Sequence, residues 1–301
     1  MNPAAARLLR VPLTVAAIWA ALAVTVPILM ARYAPYVMRP GFACVRNPVP
    51  GPDPDLGAGG CASVSDLYGI PFGSLFIDAM FRSLALLVGA AVLALVLGTL
   101  LGMAGALLRR RLFASGAIVG ITTLLAAVPA FFVAYFLQIA VIVLFASPTG
   151  GVFLPVFGFG YDSHLVLPLL SISLPAITYT AQLTATRMME VLDADYITAA
   201  RARGLGSRSI LFVHVLPHAR PVILEALGSG LRISVASLPI IEYLFMWRGI
   251  GQLALEAVGV HDAAGFIFSA VVLAALFAML SAFADLSRPR ALYASAKGAV
   301  S

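Results

Sequence analysis

The chain is poor in lysine, in charge of either sign and in cysteine, and these scarcities narrow what it can do. Lys297 is its single lysine, followed by Gly298 and Ala299. A phosphate-cradling loop ends in Gly-Lys-Ser/Thr, because backbone amides wrap the phosphates while the lysine neutralises them. No such loop exists here, so this chain does not hold ATP in that way. A Gly-x-Ser-x-Gly elbow is also missing, which removes the serine hydrolases that depend on it. His214 and His218 have the spacing of a zinc-protease pair, but Val215 replaces the glutamate that chemistry needs and Pro217 is expected to break the helix between them. Gly249, Gly251 and Ala254 match the spacing of a dinucleotide fingerprint without the βαβ pattern that gives it meaning.

What is present is apolar. Of 301 residues, 61% are hydrophobic and 11% charged, and mean hydropathy is +1.02. A soluble domain of this length cannot hide so much apolar surface. Crossing a hydrocarbon core takes roughly 20 apolar residues at about 1.5 Å per residue. Six segments satisfy that: residues 11–31, 80–108, 113–146, 164–186, 221–242 and 264–285. The reading is an all-α polytopic membrane protein with six transmembrane helices, forming a single transmembrane domain over 1–301. The third segment is long enough to tilt or to add an interfacial piece, and Pro129 is positioned to kink it.

Arginines set the orientation, since short cytoplasmic loops hold the excess of positive charge. Arg7, Arg10, Arg109, Arg110, Arg111, Arg187, Arg201, Arg203, Arg208, Arg220, Arg288, Arg290 and Lys297 fall on one side, thirteen of the nineteen basic residues. Arg32, Arg39, Arg46 and Arg248 fall on the other, diluted by acids. Both termini are therefore expected in the cytoplasm of a plasma (inner) membrane. The same asymmetry accounts for the net charge of +6, which argues against a nucleic-acid partner.

Arg7, Arg10 and the apolar run after them resemble a cleavable secretory signal. The run continues to Ala31 and further spans follow, so an uncleaved first helix is expected. Residues 32–76 are rich in proline and glycine and read as an irregular exoplasmic loop. The chain's two cysteines, Cys44 and Cys61, both lie there with sixteen residues between them. Bridged, they would stabilise the fold by roughly 3 kcal/mol in the chain-entropy model; two free thiols is the alternative.

The most informative segment is residues 187–220, between the fourth and fifth spans. Helix-forming residues precede Gly204, a glycine-containing interruption follows, and Ser207 is placed to cap a second short helix. This segment resembles the cytoplasmic loop of binding-protein-dependent ABC permeases, whose pattern is Glu-Ala-Ala, three residues, Gly, nine residues, Ile, one residue, Leu-Pro. Thr198, Ala199 and Ala200 fill the first three slots, Gly204 the glycine, and Leu216 and Pro217 the last pair. Thr198 replaces the glutamate and His214 the isoleucine. Asp195-Tyr196 and the run Ala200-Arg201-Ala202-Arg203-Gly204-Leu205 are similar to the dipeptide and oligopeptide branch. So are Asp66-Leu67-Tyr68-Gly69 and the run from Ile241 to Gly251, in which Arg248 stands where proline is usual.

The resemblance implies a type I ABC importer permease fold. It further implies a transport subunit that forms a path for peptides with a second permease, two cytoplasmic P-loop ATPases that carry ATP and magnesium, and an extracytoplasmic peptide-binding protein. Related permeases carry nickel chelates, opines, glutathione or other small solutes, and an intramembrane enzyme or structural membrane protein is the remaining alternative. In such a permease the loop seats a short helix in a cleft of an ATPase. Ala199, Ala200 and Gly204 would allow close docking, with Arg201, Arg203 and Arg208 facing acidic groups.

Charges inside the spans stand apart, because one in lipid costs several kcal/mol. Arg232 lies midway along the fifth span beside Gly228, Ser229, Gly230 and Ser234. It is a candidate for the substrate path, or for pairing with an acid of a neighbouring subunit. Arg82 and Glu242 lie near the opposite membrane edge, where snorkelling is the simpler expectation.

Overall fold

The computed structural model describes residues 63–109, 111–145, 154–260 and 262–287. The first expected span and both cysteines, Cys44 and Cys61, lie outside the described residues. Among the described residues every regular element is helical. In chain order these are α1 (Val64–Tyr68), α2 (Phe72–Leu107), α3 (Leu112–Ala127), α4 (Ala130–Phe145), α5 (Val166–Leu192), α6 (Asp195–Ala202), α7 (Ser207–Phe245), α8 (Ile250–Gly259) and α9 (Ala263–Ser287).

Helices α2, α5, α7 and α9 are each long and apolar enough to cross a membrane. Helices α3 and α4 pass that test together, but the chain bends by 100° between them. Pro129 explains the bend. It forces Val128 into an extended conformation (φ −88°, ψ 124°) and cannot donate the hydrogen bond that would continue α3. The third expected segment is thus a broken one.

Two boundaries correct the sequence reading. Helix α2 begins at Phe72 and α1 precedes it, so the last part of the expected irregular loop, residues 64–76, is largely helical. The expected short helix capped by Ser207 is instead the start of α7, a continuous 39-residue helix that begins after Gly206 with no side-chain cap. The apolar spacing explains that length. Ile210 and Val215 are five apart across a π-helical stretch, then Val215, Ala219 and Ile223 recur every four, so all four face one buried cluster. The wide turn also lets Pro217 enter the helix at its first α-helical turn, where a missing N–H costs little. Pro217 therefore does not separate His214 from His218; the His218 ring Nδ1 lies 2.6 Å from the His214 carbonyl oxygen.

Helix α5 is the centre of the bundle, and small residues bring its neighbours close. A Cβ added at Gly230 of α7 would sit 2.6 Å from the Ala176 Cα of α5. One turn along, the Ser234 hydroxyl donates to the Ile172 carbonyl at 2.7 Å. On the other side Gly98 and Gly102 of α2 form a Gly-xxx-Gly pair against α5, where a Cβ at Gly102 would meet the Ala181 carbonyl at 2.6 Å. Gly228 lets α7 approach α9 at Phe283 and Ala284. Outward faces carry exposed apolar side chains such as Val88, Leu124 and Val143, a surface suited to lipid rather than water.

Gly230→Val is expected to overpack this crossing and lower stability by about 1–3 kcal/mol. Gly120→Ala on α3, where an added Cβ meets nothing within 4 Å, is expected to be neutral. Thermal midpoints of the two detergent-solubilised variants check the contrast; equal midpoints would contradict the packing assigned to Gly230.

Candidate functional site

The segment singled out in the sequence forms one projecting unit. Helix α6 carries two inward residues, Ile197 and Ala200, both buried with Met188, Val191, Ile210 and Val215. Its other face, with Asp195, Tyr196, Thr198, Ala199, Arg201 and Arg203, is exposed. A Schellman motif ends the helix: the Leu205 amide donates to the Ala200 carbonyl (3.2 Å) and the Gly204 amide to that of Arg201 (2.9 Å). Gly204 has φ +81°, a conformation that other residues adopt only with strain. An added Cβ there would meet nothing within 4 Å, so positive φ, rather than close approach within this chain, is what requires glycine. Leu205 remains 40% exposed, beside the equally uncovered helix face.

Leu216 and Pro217 do not join that projection. They lie in the first α-helical turn of α7, with Leu216 packed on the cluster beneath α6. The Tyr196 ring lies 5.8 Å from that of His218, tying the outward start of α6 to α7. Arg109, between α2 and α3, fastens the root of the projection: it pairs with Asp193 at 2.8 Å and reaches the Met189 carbonyl at 3.4 Å. A pocket of about 340 Å³ opens there, lined in part by Arg109, Leu192, Arg201 and Ser207.

At the opposite end of α7 the structure corrects the snorkelling expectation for Glu242. Its carboxylate is fully buried and hydrogen-bonded. Ser83 Oγ donates to Oε1 (2.6 Å), and the Gly251 and Gln252 amides donate to Oε2 (2.8 and 3.1 Å). Those amides are orphan donors at the start of α8, where a negative charge is favoured. Ser83 also accepts from the Ile250 amide at 2.8 Å, so one carboxylate and one hydroxyl join α2, α7 and α8. Gly249 is glycine for space, since any Cβ would collide with the Glu242 carboxylate. Arg82 is held too, its guanidinium 4.1 Å from the Phe159 ring centre.

The backbone between α7 and α8 is unusual. Met246 and Arg248 both have positive φ, 54° and 56°. Proline, with φ locked near −65°, does not fit this backbone at 248, so the departure from the pattern noted above has a structural counterpart. The Arg248 amide donates to Gln252 Oε1 at 2.6 Å, and Gln252 passes a hydrogen bond to Glu256 at 2.7 Å. Tyr68 of α1 donates to Glu256. The two segments that carried the resemblance at this end therefore meet in space. Burial, reinforced by the Glu256 hydrogen bond, pushes the Tyr68 phenol above its usual value. Asp162, on the loop before α5, is held below the usual carboxylate range by the His164 ring and backbone amide.

The contact between Glu242 and Ser83 was missed in the sequence because 159 residues separate them; the one signal was an acid near the end of an apolar run ahead of Gly249-Ile250-Gly251. Arg232 is half-buried on α7 and donates to Ser229 Oγ at 3.0 Å.

This arrangement is a membrane-type helical bundle crossed by small residues, with a short helix projecting at one end. The chain belongs to the family described as binding-protein-dependent transport system inner membrane component, whose model matches residues 94–293. Relatives include the metal-staphylopine import system permease protein CntB of Staphylococcus aureus, 29% identical over 223 residues, covering 74% of this chain and 69% of that protein. The probable peptide ABC transporter permease protein y4tP of Sinorhizobium fredii is 28% identical over 227 residues, covering 73% and 70%. Among solved structures, the inward-facing MetNI methionine ABC transporter has the same fold, with a TM-score of 0.60 over 71% of this chain and 95% of that one at 16% identity.

Two outcomes follow from the α7–α8 junction. Glu242→Ala leaves the α8 amides and Ser83 buried without their acceptor, and is expected to cost about 1–3 kcal/mol, read as a lower thermal midpoint. Tyr68 has a raised pKa, so its stabilisation is full below the unfolded value of about 10 and lost as pH climbs beyond it. Tyr68→Phe is expected to flatten that alkaline loss in melts recorded from pH 8 to 11; an unchanged slope would show that the phenol does not titrate with unfolding.

Proposed function

We propose that this ABC importer permease moves peptides, and that α6 is the helix through which ATP hydrolysis on partner subunits reaches the bundle. The observation that carries the coupling reading is the exposed face of α6, closed by the Gly204 turn and rooted in α5 and α7 by Ile197 and Ala200. A helix that is buried on one side and uncovered on the other can pass a push from a soluble partner into the bundle. Asp195, Tyr196, Thr198, Ala199, Arg201 and Arg203 form the contact, and Arg201 and Arg203 meet acidic groups on the ATPase. Ala200 and Leu216 act from behind, as packing, and Pro217 lets α7 start close by.

In this reading the chain pairs with a second permease. Two P-loop ATPases hold the ATP and magnesium on the α6 side, and a peptide-binding protein delivers solute at the α8 end. Both termini lie in the cytoplasm of a bacterial or archaeal inner membrane, in line with the arginine excess at the α6 end. The name of the Sinorhizobium relative favours peptides. That of the staphylococcal relative, a metal-staphylopine import permease, favours a metal chelate as the second reading.

A valine at Gly204 must adopt a left-handed backbone, at a cost of roughly 1–2 kcal/mol, and is expected to distort the end of α6. Uptake by the reconstituted complex should fall at least about tenfold while the subunit still inserts and assembles. Gly206, two residues on, has φ −67° and free space, so Gly206→Ala should transport normally. Undiminished uptake by Gly204→Val would remove α6 from the coupling path.

A further inference from the structure

Helix α7 has two sides covered by this chain, toward α5 through Gly230, Ser234 and Leu231, and toward α9 through Gly228. Its uncovered side is a stripe at helical spacing, Ile233, Ala236, Ile240 and Tyr243, and the half-buried Arg232 lies at the edge of that stripe, one turn before Ala236. Arg232 sits thirteen residues before the end of α7 at Phe245, roughly 20 Å along the axis. The expected span runs over 221–242, which puts Arg232 roughly 15 Å from either of its ends, beyond the reach of its side chain. Among the described residues its guanidinium has one hydrogen bond, to Ser229 Oγ on its own helix, and no carboxylate at ion-pair distance. Glu225 lies seven residues earlier on the same helix, roughly 10 Å along the axis. A guanidinium has five donors in a planar fork, so most of this one's donors are still open. A charge at this depth is not left facing hydrocarbon; it faces water or a counter-charge.

We propose that the Arg232 stripe lines the hydrated translocation path and that Arg232 is its anion-selecting residue, engaging a carboxylate of the transported solute. The proposal rests on the permease reading and adds a substrate chemistry to it: solutes with an accessible carboxylate. The fork geometry suits two-point binding to that group. Tyr243, at the α8 end of the stripe, and the apolar Ala236 and Ile240 between them leave the arginine as the stripe's one fixed charge.

The test reads the charge directly. Ala236→Cys, one turn from Arg232, is made in the otherwise native chain, with and without Arg232→Gln, and the complete transporter is exposed in membranes to anionic and cationic methanethiosulfonate reagents. Wild-type complex is the blank and Ser234→Cys, on the covered side, the unreactive control. The expected result is that Ala236→Cys reacts and that its anionic-to-cationic rate ratio falls several-fold when Arg232 becomes glutamine. An unreactive Ala236→Cys, a ratio unchanged by Arg232→Gln, or loss of complex assembly on that substitution would overturn the proposal. The last result would instead make Arg232 a partner of an acid in the second permease.

Uptake of a tripeptide against its C-terminal amide then separates the two readings. A preference of about tenfold or more for the free acid that disappears in Arg232→Gln supports both. A preference that survives the substitution overturns the selection role. Failure to take up either peptide, with the reagent ratio still shifted, removes the peptide substrate and keeps the anion site.

Discussion

The close crossing of α7 over α5 is the contact on which the rest of the structure depends. In a hydrocarbon medium helices gain little from hiding apolar surface, so association rests on van der Waals contact at short range and on a few hydrogen bonds. Gly230 against Ala176 supplies the first and Ser234 to the Ile172 carbonyl the second. Gly98 and Gly102 repeat the arrangement between α2 and α5. With α5 gripped from both sides, its lower end presents α6 in a defined direction, and α7 runs unbroken from the root of α6 to the junction with α8.

That continuity connects the two ends physically. Below, Ile197 and Ala200 of α6 share a buried cluster with the first turns of α7. Above, Glu242 holds the start of α8 and a hydroxyl of α2. In the proposed coupling, a displacement at α6 passes to the α8 end along α7, a helix that keeps its course through the interior prolines Pro221 and Pro239. The broken pair α3 and α4 is the contrasting element: proline has interrupted its hydrogen bonding and bent it by 100°.

Much of the membrane architecture was legible in the sequence, because hydropathy reports length and lipid exposure directly. The expected breaker at Pro129 is where the chain bends, and the segment around Gly204 is a helix and a turn, as its composition implied. The beginning of α7 was not legible. Residues from Ser207 on read as a second short helix separate from the fifth span, yet a π-helical stretch turns Ile210, Val215 and Ala219 to one side and joins them to it. Period counting at 3.6 residues per turn does not register that shift. Glu242 was misjudged for a related reason: position at a membrane edge said nothing about the amides that a separate helix would bring to it.

Composition and local pattern by themselves determined that this chain is a helical membrane protein, where its helices break and which short segment projects at one end, since those properties follow from transfer to lipid and from backbone chemistry within a few residues. Only the tertiary structure decided why Gly230 is glycine, what surrounds Glu242 and which side of α7 leaves Arg232 half-buried. Each of these depends on distances between residues far apart in sequence, set by how closely small side chains let the helices cross.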